Sequence, residues 1–326
     1  MNSINLTPSS RPVALGLLLI FLCHAGAGAE DTTALLRRAQ EMDKAGQAQQ
    51  AIALYRDVLR ADPQSADAGL GLGRDLYIAG QYAEATANLA QALKLRPGDP
   101  TITNWLGRTY LRQNQPEKVL ELIKGRAAGS DSASLHMLAA RAYDALDNLG
   151  AARQEIDRAL QLNAHCPFAH FALGFLAWGE GDLAAADKGF QFELTRDPHQ
   201  AVSAYYLSES FCKQGKLDDA HAVLTRAAQG GADAYLLHFG LGKVHERQKD
   251  YAAAIAQYRE AIRIDSTQSD AHYRLAMLLR ARGETDEANQ QFQAFRETQM
   301  AMDAGMGQGM GRMRPRLPDL DFGGAE

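Results

Sequence analysis

The chain has 326 residues, 34 Lys and Arg against 39 Asp and Glu for a formal net charge of −5, with 46% hydrophobic and 22% charged residues. This is ordinary globular composition, and its mild acidity argues against nucleic-acid binding, which needs a surplus of Lys and Arg to displace counterions from phosphate. At roughly 150 residues per domain the length suits two domains, but that prior fails for repeat proteins, so periodicity has to be tested first.

The N-terminal segment, residues 1–29, reads as an export signal. Arg11 precedes an apolar run from Val13 to Cys23, and the small residues ending in Ala27-Gly28-Ala29 have the A-x-A form of a signal-peptidase site. Cleavage after Ala29 and a periplasmic or secreted location are expected. The run is shorter than the ~20 residues of a spanning helix, and nothing after Glu30 is continuously apolar enough to replace it, so no stable membrane span is expected after cleavage. A lipoprotein reading centred on Cys23 fits poorly with the bulky Phe21-Leu22 before it. Only Cys166 and Cys212 follow the signal, too few for a disulfide scaffold, and two buried free thiols are expected.

From Thr32 onward a pattern recurs. Its internal spacing is an Ala, as in Ala51, Ala85 and Ala186, often with an apolar or aromatic residue four later and a Pro twelve later (Pro63, Pro97, Pro198). About five residues before the Ala there is often a Gly (Gly46, Gly80, Gly181, Gly215), and upstream of that lies Leu-Gly, as in Leu72-Gly73, Leu106-Gly107, Leu173-Gly174 and Leu241-Gly242. Each copy predicts two amphipathic helices, a Gly turn between them, and a Pro placed after the second helix, where it breaks no hydrogen-bond ladder. One such hairpin cannot bury its apolar face alone, so neighbours must stack.

This pattern resembles the tetratricopeptide repeat, whose units span about 34 residues, and Leu106-Gly107-Arg-Thr-Tyr110 matches its L-G-x2-Y core, with Thr103 at the family's Trp position. The reading is an all-α, right-handed solenoid (superhelix) of about eight helix-turn-helix repeats over residues 30–299, starting near Thr32, Ala66, Pro100, Ala133, Pro167, Ala201, Tyr235 and Ser269. The third unit departs from the pattern: Val119 replaces the Ala, Gly125 to Ser132 stands where the second helix should hand over, and the step to the next unit is one residue short. A weakened junction or hinge is expected there. No polar capping helix follows the eighth unit, which leaves a surface for homodimerisation.

Catalytic chemistry is sparse. Gly69-Leu-Gly-Leu-Gly73 and Gly240-Leu-Gly-Lys243 complete no phosphate-loop motif and fall inside first helices, where Gly is a packing residue. His136, His170, His238 and His272 share the fourth position of their units, a column too widely spaced to close a metal sphere. No base, nucleophile and anion hole converge on one unit, so neither an enzyme nor a bound cofactor is expected.

The resemblance implies that the first helices line a concave inner surface through positions two, five, nine, twelve and thirteen, a set that helical periodicity also selects. Position nine supplies Arg74, Arg108 and Arg141 in consecutive units, joined by Arg112 from position thirteen. Position five supplies Phe171, Tyr205, Phe239 and Tyr273, extended in the fifth unit by Phe168, Phe175 and Trp178. Exposed Arg and aromatic side chains are what binding hot spots use, so a groove taking an acidic and apolar segment of a protein or peptide partner is expected. The alternative is packing: position-five aromatics between adjacent first helices, and arginines paired with Asp67, Asp75 or Asp144.

Residues 300–326 change composition, with Met300, Met302, Met306, Met310 and Met313 among Gly, then Arg312, Arg314 and Arg316 before Leu317-Pro-Asp-Leu-Asp-Phe322. Disorder is expected. The tail reads as a flexible arm, with Cu(I) binding by its thioethers as an alternative. The function expected is a non-enzymatic interaction scaffold outside the cytoplasm, with an auxiliary subunit of a cell-envelope or polysaccharide assembly machine as the other reading.

Overall fold

The computed structural model describes residues 32–125, 132–230, 234–305, 316–318 and 320; the expected signal segment, the expected hinge at 126–131 and Met306, Met310 and Met313 lie outside them. Regular structure among the described residues is entirely α-helical. The chain divides into two compact units, residues 1–106 and 107–326.

The first unit holds α1 (32–44), α2 (Ala48–Ala61), α3 (Ala66–Ile78), α4 (Tyr82–Leu95) and the start of α5 (Pro100–Arg112). Its core gathers Ala51, Tyr55 and Val58 of α2 with Leu72 and Leu76 of α3. Gly71 is required here: a Cβ on it would fall 2.3 Å from the Tyr55 ring. Ser65 caps α3 by accepting the Ala68 amide at 3.3 Å.

The second unit takes the rest of α5, then α6 (Pro116–Lys124), α7 (Ala133–Ala145), α8 (Leu149–Leu162), α9 (Ala169–Glu180), α10 (Leu183–Arg196), α11 (Ala201–Lys213), α12 (Leu217–Ala228), α13 (Tyr235–Arg247), α14 (Tyr251–Ile264), α15 (Ser269–Ala281) and α16 (Thr285–Gly305). From α7 on, each odd helix packs along the even helix that follows it, and α11 also touches α9 and α13. These three first helices therefore form an inner row. The closest approach is between α9 and α10, where a Cβ on Gly189 would sit 2.5 Å from the His170 carbonyl oxygen and 2.8 Å from the Gly174 Cα. Those obstacles are backbone, so no rotamer change relieves them.

Two local devices repeat along the chain. The fourth residue of each second helix is buried at 0–1% exposure, by Ala51, Ala85, Ala152, Ala186, Ala220, Ala254 and Ala288, with Val119 as the exception in residue type. Each first helix ends on a left-handed residue: Gly46, Gly80, Asn114, Asp147, Gly181, Gly215, Lys249 and Gly283, with φ between 57° and 87°. In every case the next residue's amide donates to the carbonyl five residues back, at 2.8–3.0 Å, which satisfies a helix-end carbonyl that would otherwise lack a partner.

The structure adjusts several expectations. The fifth first helix starts at Ala169, because Phe168 just before it has a φ of 59°. In the third repeat α6 has nine residues, against fourteen in α2, α4 and α8, and ends before Gly125. In the tail from Met300, where composition led to an expectation of disorder, residues 300–305 continue α16, and Arg316, Leu317 and Leu320 make contacts within the second unit. Cys166 and Cys212 are free and buried.

Among the eight helix-ending residues Lys249 carries the longest side chain, and a Cβ in the left-handed region costs on the order of 1 kcal/mol relative to Gly. Lys249→Gly should therefore stabilise the protein by about 1 kcal/mol, measured by reversible urea denaturation. A neutral or destabilising result would show that the lysine side chain contributes contacts worth as much as the strain it brings.

Candidate interaction surface

In the first unit Arg74 is committed to its neighbours. It pairs with Asp43 of α1 and lies 3.4 Å from Asp75, so the packing alternative, not a free guanidinium, describes it. Asp75 is 1% exposed, and burial, with the nearby Asp43 carboxylate, pushes its pKa up to about 6 despite Arg74.

In the second unit Arg108 and Arg141 are buried, at 9% and 6% exposure, while Arg112 is exposed. Burial first, then the like charges of Arg108 and Arg112, push the Arg141 guanidinium down to about 9, opposed by Asp144. The expected ladder of exposed arginines is thus mostly an interior feature. The cause is depth: α7 is buried along much of its length, including Ser134, Met137, Arg141 and Asp144.

The aromatic row divides in the same way. Phe171 and Phe175 have no exposed surface and Phe239 only 5%, so they are core residues and not an exposed ladder. Tyr206, missed by the positional reading because it stands at position six, joins them: its ring centroid lies 5.6 Å from Phe171, 5.0 Å from Phe175 and 5.6 Å from Trp178. Phe168, Trp178 and Tyr205 are half-buried and Tyr273 is 45% exposed. Lys213 places its Nζ 3.7 Å from the Trp178 ring centroid, a cation–π contact at the edge of the same cluster.

Further along the row, position nine carries an ion pair between neighbouring first helices. Lys243 Nζ lies 2.5 Å from Glu209 Oε2 and 3.3 Å from the Tyr205 hydroxyl, and Arg247 approaches Glu209 at 3.6 Å. Burial holds the Lys243 pKa below its ordinary value even with Glu209 beside it, and burial, then Glu209, raises that of Tyr205. Met277 and Tyr273 stand on the last first helix at 38% and 45% exposure.

The histidine column serves the hairpins. His136, His238 and His272 each bring Nδ1 within 2.6–2.8 Å of an oxygen nineteen residues later, on Glu155, Gln257 and Gln291. At His170 that later position is Gly189, and the imidazole packs against Phe192 at 3.7 Å. No group of three His, Cys, Asp or Glu side chains suited to a metal ion occurs among the described residues. No described helix is long and apolar enough to cross a membrane.

Stacked two-helix hairpins with these closures define an all-α solenoid, and the chain belongs to the tetratricopeptide-repeat family. Two tetratricopeptide-repeat models match, one over residues 36–85 and 207–269 and the other over 76–128 and 246–299. Among curated proteins the chain is similar to cellulose synthase operon protein C of Xanthomonas axonopodis pv. citri, 31% identical over 193 residues, and of Pseudomonas fluorescens, 24% over 190 residues. The matches take in 55% and 58% of this chain but only 13% of each relative. A solved tetratricopeptide-repeat protein of Parabacteroides merdae superposes with a TM-score of 0.62 at 17% identity, over 77% of this chain and 99% of its own, and the Cut9–Hcn1 structure gives 0.56 at 16%, over 74% and 48%. At these identities the two structures speak for the fold alone.

The raised Asp75 pKa has a testable sign. With a folded pKa near 6 above an unfolded one near 3.8, folding favours the protonated acid, so this group stabilises the fold at low pH and the contribution is lost as pH rises through about 4 to 6. Asp75→Asn, neutral at all pH, should be more stable than the parent at pH 7.5 by on the order of 1–3 kcal/mol, with the gap closing by pH 4. Thermal denaturation at the two pH values checks this; a parent more stable than the variant at pH 7.5 would mean that the Arg74 pairing outweighs burial.

Proposed function

We propose that the protein is a non-enzymatic interaction scaffold that holds a segment of a partner protein against the inner row of first helices, and that it works outside the cytoplasm. The carrying observation is the exposure of Tyr273 and Met277, large apolar side chains one helical turn apart on α15, on the face that in the neighbouring repeats is closed by Phe239, Lys243 and Tyr205. Apolar and aromatic surface of this kind on a rigid helix presents contact area with few rotors to freeze. The export signal read in residues 1–29 supports the location.

A second, narrower reading is favoured by the curated relatives. Their shared name, cellulose synthase operon protein C, supports a role for this chain as an auxiliary subunit of a polysaccharide assembly machine in the cell envelope. The matched stretch is a small part of those proteins, so the reading concerns the repeat array and not their remaining length.

The test is site-specific photo-crosslinking in intact cells, with a photoreactive phenylalanine at Tyr273 or Met277 and, as control, at the exposed Ala256 on second helix α14. Inner-row positions should give a discrete crosslinked protein that the control does not, and a partner belonging to a glycan-polymerising complex would support the narrower reading. Equal yields from both faces would contradict the inner row as the binding surface.

A further inference from the structure

The described part of the C-terminal segment sits on the second unit in a way that its composition did not announce. The Leu317 amide donates to Asp144 Oδ2 at 2.7 Å, the Arg316 Nη1 donates to the Asp144 carbonyl oxygen at 2.8 Å, and Arg316 Nη2 lies 3.5 Å from Asp147 Oδ2. Leu317 is 7% exposed and belongs to the same buried cluster as Met137, Phe171 and Phe175, with Leu320, Trp178 and Tyr143 at its margin. The Leu320 amide donates to the Pro318 carbonyl at 3.0 Å, and Leu320 packs against the cluster that holds Leu317.

Each contact is one that a peptide ligand makes. A buried carboxylate, Asp144 at 1% exposure, meets a backbone N–H; a helix-end carbonyl and an exposed carboxylate meet a guanidinium; an aromatic cluster takes two leucines. Asp144 stands at position twelve of its repeat and Phe175 and Trp178 at positions nine and twelve of the next, so the segment lies across the first helices α7 and α9. Its partners belong to the final turn of α7 and to Asp147, the left-handed residue that ends that hairpin arm. The polar groups that meet the segment are all acceptors. A basic and apolar segment fits them, whereas the acidic segment suggested by the row of arginines does not.

We propose that Asp144, Asp147 and the Phe175–Trp178 cluster form a peptide subsite for short segments of the type Arg-Leu-Pro-x-Leu, and that its resident occupant is the same chain's Arg316–Leu320, which a partner carrying a similar segment must displace. The proposal rests on the scaffold reading and gives it a ligand class and a built-in competitor. It commits to occupation within one chain: the segment reads as an intramolecular ligand whose effective concentration, set by the tether, sets the affinity that a partner must exceed.

The probe is a fluorescent synthetic peptide with the sequence of residues 314–322, titrated by anisotropy into two full-length proteins, the parent and a Leu317→Ser/Leu320→Ser variant whose own segment can no longer hold the cluster. The variant should bind the peptide at least about tenfold more tightly than the parent, and adding Asp144→Asn to the variant should reverse most of that gain. Equal affinity for parent and variant, or no binding to either, overturns the proposal. Sedimentation of parent and variant should give the same monomeric mass; a parental dimer lost in the variant would make the occupant a second copy and overturn occupation in cis. Because Leu317 and Leu320 lie outside α15, loss of the peptide site would leave crosslinking from Tyr273 intact, and the two readings fail separately.

Discussion

The structure depends on one constraint: a two-helix hairpin has more apolar surface than its own two helices can cover, so each must press against the next. The pressure is met at the buried Ala in the first turn of most second helices and at glycines such as Gly189, whose Cβ would strike neighbouring backbone. With that contact fixed, the turn between helices has to leave the first helix abruptly, and a left-handed residue with a bond five residues back does so eight times over. The remaining side of each first helix is released from the demands of stacking and is free to vary. In the second unit this is where tyrosines, a half-buried lysine–glutamate pair and a buried aspartate collect.

Much of the architecture was legible because it rests on short-range rules. The turn glycines and the trailing prolines mark helix ends directly, the Leu-Gly pairs mark the middle of the first helices, and the one-residue shortfall before the fourth repeat reappears as the 33-residue step from Asn114 to Asp147 among steps of 34. Burial depth was not legible in the same way. Periodicity assigns Phe171, Phe175, Arg108 and Arg141 to the inner face of their helices, but it says nothing of depth: Phe171 and Phe175 are covered by Tyr206 of the neighbouring first helix, and the two arginines are buried as well. Arg74 shows the same limit for charge: its partner Asp43 comes from the preceding repeat, at a distance in sequence that no local pattern reports. Tyr206 escaped for a simpler reason, since position six faces the core edge and not the row being traced.

The C-terminal segment was the least legible part, and the reason is physical. A stretch of five residues with a proline has no period to detect, and what holds it is a set of contacts far away in sequence: Asp144 and Asp147, separated from it by 169–173 residues, and the aromatic cluster. Methionine, glycine and arginine around it read as disorder because they cannot make a core of their own. A surface that already has one can still bury two leucines. The segment meets first-helix side chains that stacking leaves available. The cellulose synthase operon relatives match part of this array over a small fraction of their own length.

The central claim is that the inner row of the second unit holds an extended segment by its backbone as well as by its side chains. The most direct measurement is amide hydrogen exchange of Leu317 in the full-length protein, followed by NMR on leucine-labelled material. If its N–H is donated to the buried Asp144 carboxylate, exchange should be slower than for an unstructured amide by on the order of a hundredfold or more. Exchange at the unstructured rate would contradict the claim, because a segment resting there through its leucines alone leaves that proton open to water.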